Sequence, residues 1–157
     1  MKKQGFTLIE LLIVIAIMGV VAAIAIPNFM TALQKGKQKA TMADIKNIGT
    51  AIESYMVEHQ MAPGNGNASL VGDLVPYLSP FYVKILPQKD GWGEPLRYDS
   101  GQVGAGEELY SIISYGRDRV STGIDVTNSN YNIVSIEDFG KDICFSNGHF
   151  SYCPKIK

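Results

Sequence analysis

Residues that commonly carry chemistry are scarce in this chain. Two cysteines, Cys144 and Cys153, and two histidines, His59 and His149, are all it has of either type. The cysteines match no four-ligand zinc spacing and the histidines stand 90 residues apart, so neither a zinc site nor a cysteine–histidine nucleophile is expected. The sequence lacks Gly-x-Ser-x-Gly, and with it the strained turn that presents a catalytic serine. It lacks the glycine-rich phosphate loop as well. Its carboxylates are scattered, without a paired spacing. An enzyme is not expected. An excess of one charge is also missing: 14 basic residues against 15 acidic leave a formal charge of -1. The one short basic run, Lys35 to Lys39, gives no electrostatic footprint for nucleic acid, and no nucleic-acid partner is expected.

What the chain has in abundance is one apolar run. Leu11 to Ile26 are sixteen consecutive Leu, Ile, Val, Ala, Met or Gly residues, and Phe6 to Ile26 contain only Thr7 and Glu10 as polar interruptions. As a helix at about 1.5 Å per residue this spans roughly 30 Å, one hydrocarbon core. Three readings fit such a run. It can be a cleaved signal peptide cut after Ala25, a plain anchor, or a buried core helix, which its length disfavours. Glu10 weighs against the first two, because a carboxylate inside a membrane helix costs a few kcal/mol and is kept where it has a partner or a task. Cleavage between Gly5 and Phe6 would create that partner. The new α-amine of Phe6 would lie about one helical turn from Glu10, within one subunit or on a neighbour. The Lys35–Lys39 run then reads as a juxtamembrane charge cluster.

These residues carry a resemblance. The string KKQGFTLIELL, followed by AAIAIPNF, is similar to the processing signal of type IV pilins and type II secretion pseudopilins. The resemblance implies a leader of residues 1–5 removed by a prepilin peptidase after Gly5, with Phe6 becoming the N-methylated first residue. It also implies a role for Glu10 as the carboxylate that meets an N-terminal amine during filament assembly. Residues 6–27 would be the membrane and filament-core helix, with Pro27 as a kink. Residues 28–61 would continue it, and 62–157 would form a β-rich head. The implied architecture is α+β: a long N-terminal helix, in one membrane half and one amphipathic half, packed on a small antiparallel sheet as in the type IV pilin fold.

The later sequence fits that frame. Met42, Ile45, Ile48, Ile52, Tyr55 and Met56 recur at three- and four-residue steps with charges between them, which predicts an amphipathic helix to about His59. The segment APGNGNASL ends it. PLRYDSG, from Pro95, and ELYSIISYG, from Glu108, predict two antiparallel strands. ICFSNGHFSYC predicts a terminal hairpin turning at Asn147-Gly148 or at Gly148-His149. In an oxidising compartment a Cys144–Cys153 disulfide is expected, the alternative being two reduced, buried thiols. A turn at Gly148-His149 sets the cysteines opposite each other; one at Asn147-Gly148 sets them diagonally, where bridging is harder.

ADIKNIGTAIESY, ILPQKDGWGEPLRY and YSIISYGRD resemble segments of the major pseudopilins of type II secretion. In the Asp90-Gly-Trp-Gly93 loop, Trp92 is expected as an apolar plug. In those proteins an acidic loop near the C-terminus holds calcium. Here that region reads GRDRVSTGIDVTNSNYN, leaving Asp118 and Asp125 as calcium candidates beside Arg117 and Arg119. Two carboxylates are thin support for an ion that takes six to eight oxygens. The implied partners are further copies in a helical homopolymer, a prepilin peptidase, minor pilins or pseudopilins, an inner-membrane platform with its ATPase, and membrane lipid before assembly. A type IV pilus subunit is the alternative within the same class, and a tip adhesin a third reading.

Overall fold

A computed structural model describes residues 5–64, 69–103, 107–121 and 130–155. By contacts the chain divides into two compact units, Met1–Gln34 and Lys35–Lys157. One helix, α1 (Leu8–His59), runs unbroken through Pro27 and ends at the residue the apolar stripe indicated. Its long apolar side chains from Phe6 to Leu33 stand exposed, and it is long and apolar enough to cross a membrane.

In the second unit α1 supplies the stripe. Met42, Ile45, Ile48, Ile52 and Tyr55 are buried in one cluster with Leu74, Leu78, Leu96, Ile112, Ile143 and Phe145, and Met56 packs at its edge. After α1 come a short 3-10 turn (Val71–Leu74) and the four-residue α2 (Val75–Leu78). The strands are β1 (Arg97–Val103), β2 (Glu107–Ser114), β3 (Asn130–Tyr131), β4 (Ile143–Ser146) and β5 (His149–Pro154). They form one sheet in the order β1-β2-β4-β5-β3. The first three pairings are antiparallel, as expected, with Arg97 opposite Ile113 and Ile113 opposite Cys144. The outer β3–β5 pairing is parallel, a departure from the antiparallel sheet expected. β3 and β5 are joined through the 3-10 turn Glu137–Gly140 and β4 rather than by a tight hairpin, so nothing forces β3 to run against β5.

Helix and sheet meet closely at Gly49. A β-carbon there would lie 2.3 Å from the ring of Phe145, so the missing side chain lets the ring sit on the helix backbone. Tyr110 spans the same contact. Its hydroxyl donates to the Glu53 carboxylate at 3.0 Å, with the Gly49 carbonyl oxygen 3.3 Å away as a second acceptor. Burial and the Glu53 bond push its phenol well above the ordinary tyrosine range.

Candidate functional site

The residues expected to act in processing and assembly gather at the start of α1. Gly5 and Phe6 precede the first turn, and Phe6 is 77% exposed. Thr7 and Glu10 form a reciprocal cap. The Thr7 N–H donates to a Glu10 carboxylate oxygen at 2.9 Å, the Thr7 hydroxyl donates to the same oxygen at 2.5 Å, and the Glu10 N–H donates to the Thr7 hydroxyl at 3.3 Å. This is the capping box, in which a Thr at the cap and a Glu three residues on satisfy each other's donors. Thr-x-x-Glu was visible in the sequence as that signature. Glu10 therefore has a local structural task in the single chain in addition to any between chains. Pro27 lies inside α1, where its ring supplies no N–H to the carbonyl one turn earlier.

A second group of polar residues ties the head to its helix, and sequence reasoning missed most of it. Asp90 is buried, yet its carboxylate is well met. One oxygen accepts the Trp92 and Glu94 N–H groups, each at 2.9 Å, and the other accepts the Ser114 hydroxyl at 2.8 Å. Three donors stabilise a charge that would otherwise be costly to bury. The same loop touches α1. The Gly91 N–H donates to the Thr41 hydroxyl oxygen at 2.8 Å, and that hydroxyl donates to the Lys37 carbonyl at 3.0 Å. A β-carbon at Gly91 would lie 2.6 Å from the Lys37 carbonyl oxygen, so glycine lets loop backbone rest on helix backbone. Trp92 is buried, as a plug requires, though outside the main apolar cluster. Arg119 closes the loop from outside, donating to the Trp92 carbonyl at 3.3 Å and lying 3.7 Å from the Glu94 carboxylate.

The expected calcium pair is only half within the described residues. Asp118 accepts the Val120 N–H at 3.1 Å and lies against Gly140, while Asp125 falls outside the described residues. Among the described residues no group of three metal-ligating side chains occurs, and Asp118 alone does not fit a calcium shell.

The disulfide expectation needs correction: Cys144 and Cys153 are both free and buried. The hairpin turns at Asn147-Gly148, both in the left-handed region, with Ser146 opposite His149. A bulge follows, so that Cys144 faces Tyr152 across the strands and Cys153 is displaced by one residue. Cys153 belongs to the apolar cluster with Ile143 and Phe145, and side-chain alternation turns Cys144 to the other face. The Cys153 thiol donates to the Asn130 side-chain oxygen at 3.1 Å, across the parallel β3–β5 pair. Burial raises both thiol pKa values.

Comparison with known proteins agrees with this arrangement. Residues 1–26 match the model of the prokaryotic N-terminal methylation motif, and residues 28–133 match that of type II secretion system protein G. The type II secretion system core protein G of Escherichia coli (strain K12) is 33% identical over 139 residues, covering 81% of this chain and 91% of that protein. Its namesake from Aeromonas hydrophila is 32% identical, covering 87% and 97%. The type IV major pilin protein PilA of Myxococcus xanthus is 47% identical, but over 57 residues, 36% of this chain and 26% of that pilin. No solved structure matches the chain. With a head seated on a helix that begins in a methylation motif, and relatives matched along most of their length, the chain belongs to the type II secretion system protein G family.

Proposed function

We propose that the chain is the major pseudopilin of a type II secretion system, a structural subunit that polymerises through its N-terminal helix. The observation that carries this is the match of residues 28–133, which includes the Asp90 loop and β1–β2, in addition to the motif at the N-terminus. The family is structural and not a class of enzyme. In the membrane-resident subunit the exposed face from Phe6 to Leu33 is covered by lipid. In the polymer the same face is covered by other helices, which take the place of lipid in keeping it from water.

Cleavage after Gly5 by a prepilin peptidase frees the Phe6 amine, which is methylated and pairs with Glu10 of a neighbouring subunit. Charge pairing in an apolar seam fixes the axial register of the helices. Before assembly the chain crosses the inner membrane once with its head in the periplasm. A platform protein, an ATPase and minor pseudopilins drive and initiate extraction. The likeness to the Myxococcus pilin supports a type IV pilus subunit as a second reading, but it extends over only 57 residues, 36% of this chain. Mass spectrometry of the mature protein tests the processing step: a chain beginning at methylated Phe6 supports it, and one beginning near Asn28 rejects it.

A further inference from the structure

The second unit holds one large aromatic side chain out in water. Phe81 is 89% exposed on the loop that follows α2. That loop is braced from behind. Leu78 and Leu86 at its two ends are buried, the Tyr82 N–H donates to the Leu78 carbonyl at 3.0 Å, and the Tyr82 ring meets Tyr55 edge-on at 5.6 Å. The Tyr82 hydroxyl donates to the exposed Glu58 carboxylate near the end of α1. A ring presented on a fixed loop loses little freedom when a partner covers it. The same unit carries a hollow of about 480 Å3 where it begins. The lining includes Lys35, Lys39 and Met42 of α1, Val134, and Pro154 and Lys155 at the end of β5. Met42, Val134, Pro154 and the lysine stems offer apolar surface, and lysine ammoniums suit the face of an aromatic ring. A phenyl ring fits such a volume.

We propose that Phe81 of one subunit inserts into this hollow on a second copy of the chain, a contact repeated from copy to copy along the polymer. The inference rests on the polymer reading above. Position favours it first. Glu58, level with the Phe81 loop, lies nineteen residues beyond Lys39 on α1, about 28 Å along the helix. Ring and hollow therefore sit at opposite ends of one helix segment, and the ring cannot fill its own hollow. A contact between two unlike patches is heterologous, and repeated without closure it builds an open filament. Charge favours the same pairing. The Glu58 carboxylate stands beside the knob, and three lysines line the hollow. Lys84, exposed on the Phe81 loop, offsets part of that attraction.

The test replaces Phe81 of the full-length chain by the photocrosslinker p-benzoylphenylalanine, which keeps an aromatic ring there, in cells that assemble filaments. Illumination of sheared filaments is expected to give a ladder of covalent oligomers. Peptide mapping should place the link on residues 35–42, 132–134 or 154–155 of a second copy. A link to the Phe81 loop of the second copy means a symmetric contact and overturns the proposal. A link to a protein of another mass, or no link, overturns it as well. Val134→Trp, which blocks the mouth of the hollow with a ring of its own chain, lowers the ladder yield roughly tenfold, and an unchanged yield overturns the site. Phe81→Ser should reduce filament number while the subunit melts within about 2 °C of wild type, since the ring is exposed. Normal filament number, or a larger fall in melting temperature, assigns the ring no docking role. Absence of filaments from wild-type cells overturns the polymer reading, whereas filaments that form without the link overturn the docking alone.

Discussion

Replacing Gly91 by alanine tests how the head is fastened to its helix. The new β-carbon would lie 2.6 Å from the Lys37 carbonyl oxygen and 3.0 Å from the Thr41 hydroxyl, where ordinary contact starts at 3.4 Å. The first of these is helix backbone and cannot swing aside, so the loop has to retreat by about 0.8 Å (3.4 minus 2.6). That movement stretches the Gly91–Thr41 hydrogen bond from 2.8 Å to about 3.6 Å, beyond useful length. Overpacking costs about 1–3 kcal/mol and the lost bond about 1 kcal/mol. The stiffer unfolded chain returns about 0.4–1 kcal/mol. A net loss of about 2–3 kcal/mol corresponds to a fall in Tm of roughly 10 °C for a unit of this size. Circular dichroism melting of the detergent-solubilised protein measures it. A variant that melts within about 2 °C of wild type would refute the seated loop.

Other consequences are equally direct. Gly49→Ala gains about 1 kcal/mol of helix propensity but drives a β-carbon into the Phe145 ring, and a net loss of about 1–2 kcal/mol is expected in chemical denaturation. Ser114→Ala removes one of three donors to the buried Asp90 carboxylate and should cost about 1.5–3 kcal/mol by the same measurement. The Lys141 ammonium, with the Ser135 and Val134 N–H groups, holds the Asp138 carboxyl well below its ordinary range. Its contribution is therefore full above about pH 4 and fades as the pH falls further, so wild type and Asp138→Asn should converge in stability in acid. The folded protein should contain two thiols that react slowly with a disulfide reagent at pH 8 and fast on unfolding, because burial keeps both protonated.

Elements with strong periodicity were legible in the sequence. The stripe from Met42 to Met56 marked the buried face of α1, and the short aromatic and β-branched runs PLRYDSG and ELYSIISYG marked β1 and β2. Asp90 was read only as part of a turn, because its partners Thr41 and Ser114 lie far away in sequence and neither has a distinctive local context. Gln38 lies within the Lys35–Lys39 run and Thr41 just after it, a stretch read only as a charge cluster, yet both side chains are buried. Gly49 carries no local signal in the sequence; its reason is a ring nearly a hundred residues later. The disulfide failed on one bulge, since a shift of a single residue changes which face a side chain takes.

Filament assembly by Glu10→Gln subunits tests the central claim most directly. Glutamine at this position still accepts the Thr7 N–H and keeps the capping box, so the start of the helix is preserved while the negative charge is removed. Electron microscopy of sheared surface material, with subunit levels matched, should show filaments from wild type and few or none from the variant. Filaments of normal number and length from Glu10→Gln would contradict a charge-paired assembly of this chain.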